Sequence, residues 1–149
     1  MAAILDHCRD LPERRLAAGE TFIHEGKRSG LVWVLVEGTV DVLKGNVRVG
    51  TITEQGAVFG EVAVLLDVAH TASVRTRTPA RFRVVEDTSV FLRVPDVTLE
   101  VSRLLAKRLQ MVTSYLADLK GQFGGQDDHL GMVDEVLDSL LHHQRDADD

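Results

Sequence analysis

Short hydrophobic runs separated by polar turns fill the first two thirds of this 149-residue chain. Residues 31–36 form an uninterrupted β-branched and aromatic run, which predicts a strand buried on both faces. Residues 39–43 and 47–52 alternate around the turn at 44–46, which predicts a β-hairpin. Further elements are predicted as strands at 21–23, 73–76, 81–85 and 89–94, with a short helix near 4–9. Many short strands with glycine turns favour a β-barrel or jelly roll.

The hydrophobic period changes after Pro95. Asp96 can accept hydrogen bonds from the first free N–H groups of a helix, so we predict a long helix over residues 97–120. Its apolar residues recur at spacings of 4, 3, 4 and 3, the a/d pattern of a coiled coil: Leu105, Leu109, Val112, Leu116 and Leu119. Such a seam predicts a homodimer, with packing against the chain's own barrel as the alternative.

A second, shorter amphipathic helix is predicted beyond the glycines at 121–125, with an apolar face made of Val133, Val136, Leu137, Leu140 and Leu141. We therefore divide the chain into a domain at 1–120, which includes the long helix, and an acidic helix and tail at 121–149. Residues 127–149 contain eight acidic side chains and one arginine, so they account for −7 of the net charge of −6, and residues 1–126 for +1. An acidic end is a poor nucleic-acid surface, and we expect no nucleic-acid binding by this chain alone.

The remaining composition argues against several other classes of protein. Cys8 is the only cysteine, which excludes an internal disulfide and fits a reducing compartment. The longest apolar runs are too short to span a bilayer, and the N-terminus lacks the pattern of a signal peptide, so we expect a cytoplasmic protein without membrane contact. The six histidines form no His-x-His pair in a predicted strand, and no Ser/His/Asp or Cys/His set is arranged for catalysis. We therefore predict no enzyme activity, no metal site and no cofactor.

Residues 58–74, VFGEVAVLLDVAHTASV, are the stretch around which the chain is organised. Phe59-Gly60-Glu61 ends a turn-rich segment and opens a short apolar run, and a small, polar return follows at 70–74. Gly60 lets the backbone approach a ligand closely, and the N–H groups of the turn that starts there carry partial positive charge. The segment therefore has the features of a backbone wrapped around an anion.

This pattern resembles the phosphate-binding cassette of the cyclic nucleotide-binding domain family, F-G-E-(apolar)-A-L-(apolar) followed by R-(small)-A-(S/T)-V. The resemblance covers roughly residues 11–120 and includes the Gly38 and Gly56 turns. Residues 108–114, RLQMVTS, are also similar to the RLQ-VTS string of the catabolite activator protein group, with one residue inserted. The resemblance implies a mainly β fold with C-terminal helices: an eight-stranded jelly-roll β-barrel, then a long dimerisation helix and a short amphipathic helix.

The resemblance also implies a binding site for cAMP or cGMP. Gly60 would donate its N–H near the phosphate and ribose, and Glu61 would accept from the ribose 2′-hydroxyl. Thr71 and Ala72 would close around the phosphate. The full set of implied ligand-binding residues is Phe59, Gly60, Glu61, Val62, Ala63, His70, Thr71, Ala72, Thr113 and Ser114, the last two near the purine base.

The sequence departs from the family at His70, where the family has the arginine that pairs with the phosphate. Histidine offers one donor and is charged only when protonated, so we expect binding to strengthen as the pH falls from about 8 to 6 if His70 contacts the phosphate. Other arginines follow closely in the sequence and can supply the charge, or can form a solvated strand face: Arg75, Arg77, Arg81 and Arg83.

Two functions are consistent with these residues. The first is a stand-alone sensor that binds cAMP or cGMP and couples the ligand to the packing of its C-terminal helices, with an unidentified effector protein as its target. The alternative is a transcription regulator-type domain of the same superfamily that has lost or weakened nucleotide binding and acts through protein contacts. The acidic residues after Lys120 lack the basic side chains of a DNA-reading helix, which argues against DNA recognition in either case.

Overall fold

The computed structural model describes residues 2–122, 134–136 and 138–141. Its contacts divide the chain into two compact units, Met1–Val101 and Ser102–Asp149. The described elements, in chain order, are α1 (Ala2–Asp6), β1 (Glu13–Leu16), β2 (Thr21–Ile23), β3 (Val32–Glu37), β4 (Val40–Lys44), β5 (Val47–Ile52), β6 (Val58–Phe59), α2 (Glu61–Leu66), β7 (Ser73–Thr76), β8 (Ala80–Val85), α3 (Thr88–Arg93) and α4 (Pro95–Gln122).

The eight described strands form two four-stranded antiparallel sheets, ordered β1-β8-β3-β6 and β2-β7-β4-β5. The expectation of a mainly β chain with a long C-terminal helix is therefore confirmed. Two of the strands were not predicted, because β1 carries exposed charge and β6 has only two residues. β6 forms where Trp33 and Val34 of β3 pair with Phe59 and Val58.

The strand predicted at residues 89–94 is wrong, because this segment is the helix α3. The side chain of Asp87 accepts a hydrogen bond from the backbone N–H of Val90 at 3.4 Å and so caps the first turn. Phe91 is buried, whereas Val90 is 61% exposed. The β-branched and aromatic composition of this run suggested a strand, but a single buried side chain and a capped start suit one and a half helical turns.

The hydrophobic core lies between the two sheets. Trp33, Phe59 and Phe82 come from the first sheet and Ile23, Val40 and Val74 from the second, and all are buried together. Phe22 joins the aromatic group, with ring centroids 4.9 Å from Trp33 and 4.5 Å from Phe82. The run at 31–36 is buried from Val32 to Leu35, as predicted for a strand covered on both faces. These rings contribute much of the burial that stabilises the first unit.

Helix α4 extends slightly beyond the range predicted for it, 97–120. Pro95 opens the helix, where its missing N–H costs nothing, and Asp96 lies within the first turn instead of capping it. Val97 and Val101, four residues apart on one face, are buried. Along the predicted seam, Leu109 and Val112 are 47% and 48% exposed, and the other members are half-buried: Leu105, Leu116 and Leu119.

Part of the predicted C-terminal helix falls within the described residues. Residues 134–136 and 138–141 are helical, and Lys120 forms an ion pair with Asp134. Leu141 is 70% exposed, and Val136 and Leu140 are also exposed. Val133 and Leu137 lie outside the described residues, and the domain boundary predicted after residue 120 stays a prediction. None of the helices that the structure describes has the length and apolar character needed to cross a membrane.

Candidate functional site

The cassette predicted from the sequence is built from the end of β6, the short helix α2 and the segment that returns to β7. Gly60 joins β6 to α2 in the left-handed region, with a φ of 89°. A Cβ at this position would lie 2.7 Å from the carbonyl oxygen of Leu31 and 3.5 Å from Cε1 of His70. Gly60 is therefore required by its backbone conformation and by close packing, and it brings the start of α2 against His70.

The residues that follow Gly60 place a carboxylate at the same end of α2. Glu61 is only 2% exposed and lies in the first turn, where a negative charge is favoured by the helix dipole. Ala63 is buried and Val62 half-buried. Phe59 is also buried, but its side chain belongs to the hydrophobic core. Phe59 therefore anchors the cassette, and only its backbone remains for contact with a ligand.

The return segment, residues 70–74, is hydrogen-bonded to the turn between β2 and β3. The backbone N–H of His70 donates to the carbonyl of Lys27 at 2.9 Å, and the N–H of Gly26 donates to the carbonyl of His70 at 2.8 Å. One turn residue further back, the N–H of Glu25 donates to Oγ of Ser73 at 2.9 Å. The β2–β3 turn and the return segment therefore form one structure, which fixes the position of His70 relative to Gly60.

The His70 side chain is buried and hydrogen-bonded. It is 5% exposed, and its Nε2 lies 2.8 Å from Oγ of Ser29. That hydroxyl oxygen also accepts the backbone N–H of Leu31 at 3.2 Å, which leaves its proton free to be donated to Nε2 of a neutral ring. Burial first, and then the neighbouring His24, lower the pKa of His70 below its ordinary value. The ring is therefore neutral at pH 7, and the expected pH window for protonation moves below that predicted from the sequence.

The other residues assigned to the phosphate lie beside His70. Thr71 is exposed and Ala72 is half-buried. The carbonyl oxygen of Thr71 accepts a hydrogen bond from Nζ of Lys44, at 2.6 Å. Sequence reasoning placed Lys44 in a hairpin tip and assigned it no function. The available signal was its spacing of two and four residues from Val42 and Val40, which places it on the core side of β4.

The two residues assigned to the base lie in the second compact unit. Thr113 is half-buried and Ser114 is exposed, and both belong to the part of α4 that follows Val101. The structure thus brings together the cassette residues of the first unit, and the assignment of Thr113 and Ser114 to the base stays a prediction.

The four arginines considered as substitutes for the family arginine alternate along the chain with buried residues, so they lie on the outer faces of the sheets. Val74 and Thr76 of β7 are buried, and Arg75 and Arg77 alternate with them on the outer face. Arg77 is ion-paired with Asp41, with Nε 3.2 Å from Oδ2. In β8, Arg81 and Arg83 are only partly buried and alternate with the buried residues Phe82 and Val84.

These two arginines of β8 already have partners. Arg81 is ion-paired with both Glu13 and Glu37, at 3.0 Å in each case, and these carboxylates raise the pKa of Arg81. Arg83 donates to the carbonyl of Leu11 at 2.9 Å. Strand alternation favours the alternative interpretation, a solvated strand face, for these four arginines, and a contact between one of them and the phosphate stays a prediction.

A cavity of about 170 Å³ lies next to α2, lined by Arg28, Ser29, Gly30, Ala63, Val64, Asp67, Val68 and Thr88. Of the predicted site residues, only Ala63 lines it. Arg28 is held across it by Asp67, through an ion pair of 3.1 Å and a bond to the Asp67 carbonyl. Within the described part of the chain, no three His, Cys, Asp or Glu side chains are grouped so that they could hold a metal ion.

Comparison with known proteins identifies the family of this chain. Residues 13–92, more than half of the chain, match the family described as the cyclic nucleotide-binding domain. The chain belongs to the cyclic nucleotide-binding domain family.

The cGMP-dependent protein kinase egl-4 of Caenorhabditis briggsae is 28% identical over 126 residues, which are 85% of this chain and 16% of the kinase. The chain therefore spans about one sixth of that relative. Among solved structures, the catabolite activator protein of Thermus thermophilus shares the fold, with a TM-score of 0.67 at 20% identity over 80% of this chain and 60% of that one. PKAR CBD2 with bound Sp-2Cl-cAMPS has a TM-score of 0.59 at 23% identity, over 78% and 75% of the two chains.

Proposed function

We propose that this chain is a regulatory module that binds cAMP or cGMP in the cassette of β6, α2 and the return to β7. The observation that carries the proposal is the meeting of Gly60 and His70 from the two ends of the cassette, with the carboxylate of Glu61 buried in the same turn. Membership of the cyclic nucleotide-binding domain family supports the ligand class. The module acts by binding and has no catalytic step of its own.

Each predicted site residue has a role in this proposal. The N–H of Gly60 and the carboxylate of Glu61 bind the ribose side of the ligand, because an ionised acceptor makes a strong bond to a 2′-hydroxyl. Val62 and Ala63 form the wall beside the sugar, and Phe59 holds that wall on the core. The cyclic phosphate is contacted by the return segment: His70, Thr71 and Ala72. The base is contacted from α4 by Thr113 and Ser114.

The output of the module is a change in helix packing. The two sheets form an eight-stranded jelly-roll barrel, and α4 pairs with α4 of a second copy through the partly exposed seam residues Leu109 and Val112. A ligand that binds one position of α4 better than another shifts the population toward that position. A cytoplasmic effector protein then responds to the altered helices.

The proposal is tested by calorimetric titration of the purified chain with cAMP and with cGMP. Glu61→Ala should weaken binding by about 1.5–3 kcal/mol, the scale of a hydrogen bond to a charged group. Glu61→Gln keeps the buried shape, and it should lose most of the same affinity because the charge is removed. The matched control is Glu86→Ala, since Glu86 is exposed and lies outside the cassette. Equal affinities in the three variants and the wild type would show that the cassette is not the ligand site.

A second function is favoured by the state of His70. A buried, neutral ring replaces the permanent charge of the family arginine, which weakens the phosphate half of the site. A domain that has lost nucleotide binding and acts through protein contacts fits this observation. If neither cyclic nucleotide binds at millimolar concentration, this alternative replaces the first proposal.

A further inference from the structure

A cyclic phosphate in the cassette carries a negative charge that needs a cation close by, and neither His70 nor the arginines that are already ion-paired supply one. His70 is neutral at pH 7 for the reasons given above. Arg77 and Arg81 are ion-paired on the outer faces of the sheets. Arg28 is bound to the side chain and carbonyl of Asp67. The inference that follows rests on the proposed function and identifies the missing charge.

Lys44 approaches the cassette from the end of β4, the strand next to β7 in the same sheet. Leu43 of β4 pairs with Ser73 of β7, so the end of β4 lies directly beside the return segment. Val40 and Val42 contribute to the core from alternate positions of β4, and Lys44 continues the same face beyond the edge of the core. Its ammonium reaches the carbonyl of Thr71, the residue that follows His70, at 2.6 Å. A cation therefore stands at the segment assigned to the phosphate.

The surroundings of this ammonium leave it able to bind an anion. The side chain is 61% exposed, and the carboxylate of Glu25 lies 3.9 Å from the ammonium. That carboxylate also accepts the backbone N–H of Gly45 at 3.1 Å. A lysine has three donors on a flexible stem, so the ammonium can keep the Thr71 carbonyl and still donate to an anion beside it.

We propose that Lys44 is the phosphate-pairing residue of this site and takes over the charge that the family obtains from the arginine at the position of His70. The ligand class it selects is a nucleotide with an anionic phosphate, in preference to the uncharged nucleoside. Because an ammonium is a point charge, it stabilises the phosphate without the two parallel bonds that a guanidinium makes.

The test compares three lysine variants and the wild type, each with two kinds of ligand, by calorimetry on the full chain. Lys44→Met removes the proposed cation. Lys27→Met is the matched control, because Lys27 is exposed and its backbone carbonyl accepts the N–H of His70, so it removes a nearby charge outside the proposed contact. The ligands are the cyclic nucleotide that the wild type binds better and the corresponding nucleoside, adenosine or guanosine, which lacks the phosphate.

Lys44→Met should weaken cyclic nucleotide binding by roughly 10- to 100-fold, the scale of a charged hydrogen bond, and should leave nucleoside binding unchanged. Lys44→Arg should keep most of the wild-type affinity for the cyclic nucleotide, and Lys27→Met should change that affinity less than threefold. Wild-type affinity should also stay level from pH 7 to pH 9, because the lowered pKa of His70 leaves that ring neutral across this range and only a contact with the His70 ring would make binding follow its proton. This last measurement needs no variant and still tests the assignment if Lys44→Met fails to fold.

Two contrary results have different meanings. If the wild type binds a cyclic nucleotide and Lys44→Met binds it equally well, or if wild-type affinity climbs steeply as the pH falls from 9 to 7, the assignment of Lys44 is overturned and the proposed function stands. If the wild type binds neither cyclic nucleotide, the proposed function is overturned and the assignment of Lys44 with it.

Discussion

Replacing Gly60 by alanine tests whether the cassette is built on a close approach between backbones. Two effects act on the variant. The φ of 89° is strained for any residue with a Cβ, and that Cβ would lie 2.7 Å from the carbonyl oxygen of Leu31. The carbonyl oxygen of Leu31 belongs to the backbone just before β3, so it cannot move aside as the end of a long side chain would.

Gly26 provides a control that separates the two effects. Its φ is 83°, nearly that of Gly60, but a Cβ there would meet nothing within 4 Å. Left-handed strain costs about 1–2 kcal/mol and applies to both variants. Forcing an extra methyl group into a tight contact costs about 1–3 kcal/mol more and applies to Gly60→Ala alone. We therefore expect Gly60→Ala to lower the free energy of unfolding by about 2–5 kcal/mol, and Gly26→Ala by about 1–2 kcal/mol.

The assay is urea unfolding followed by the fluorescence of Trp33, the single tryptophan, which lies in the core of the same unit. The midpoint should move further for Gly60→Ala than for Gly26→Ala, with similar slopes. Gly60→Ala should also weaken cyclic nucleotide binding, because the backbone that would contact the ligand must shift. Equal losses of stability in the two variants would refute the close approach at Gly60 and leave only the strain in φ.

Three further predictions follow from particular side chains. Val112→Glu combined with Leu116→Glu should convert the expected dimer to a monomer in analytical ultracentrifugation; a monomeric wild type at micromolar concentration would contradict the seam. Burial, and then His24, lower the pKa of His70 in the folded state, so the unfolded chain takes up this proton first and the free energy of unfolding should fall as the pH drops below about 6.5. A His70→Gln variant whose stability falls just as steeply would show that His70 is not the cause. Cys8 is fully buried and burial raises its pKa to about 11, so it should react with a thiol reagent only on unfolding, and rapid reaction in the native protein would contradict this packing.

Local sequence determined those features that depend on local order along the chain. The alternation around the turn at 44–46 specified the hairpin of β4 and β5, because the period of side chains on a strand is two. The unbroken apolar run gave the doubly covered strand β3, and the change of period after Pro95 gave α4 to within two residues at each end. Phe59, Gly60 and Glu61 pointed to the cyclic nucleotide-binding domain family through their order and spacing, and the match of residues 13–92 confirms that family.

Tertiary structure alone decided which side chains meet and which are removed from water. In the sequence His70 lies in a predicted loop, and the fold buries its ring against Ser29, 41 positions earlier. That burial, and then His24, lower the pKa of the ring. The same assembly brings Lys44 to Thr71 across 27 positions. Conversely, it turns Arg77 away to pair with Asp41. Successive residues of a strand point to opposite faces of the sheet, and this follows from the sequence order alone. Which of the two faces becomes the core depends on how the two sheets pack, and that is a property of the whole fold.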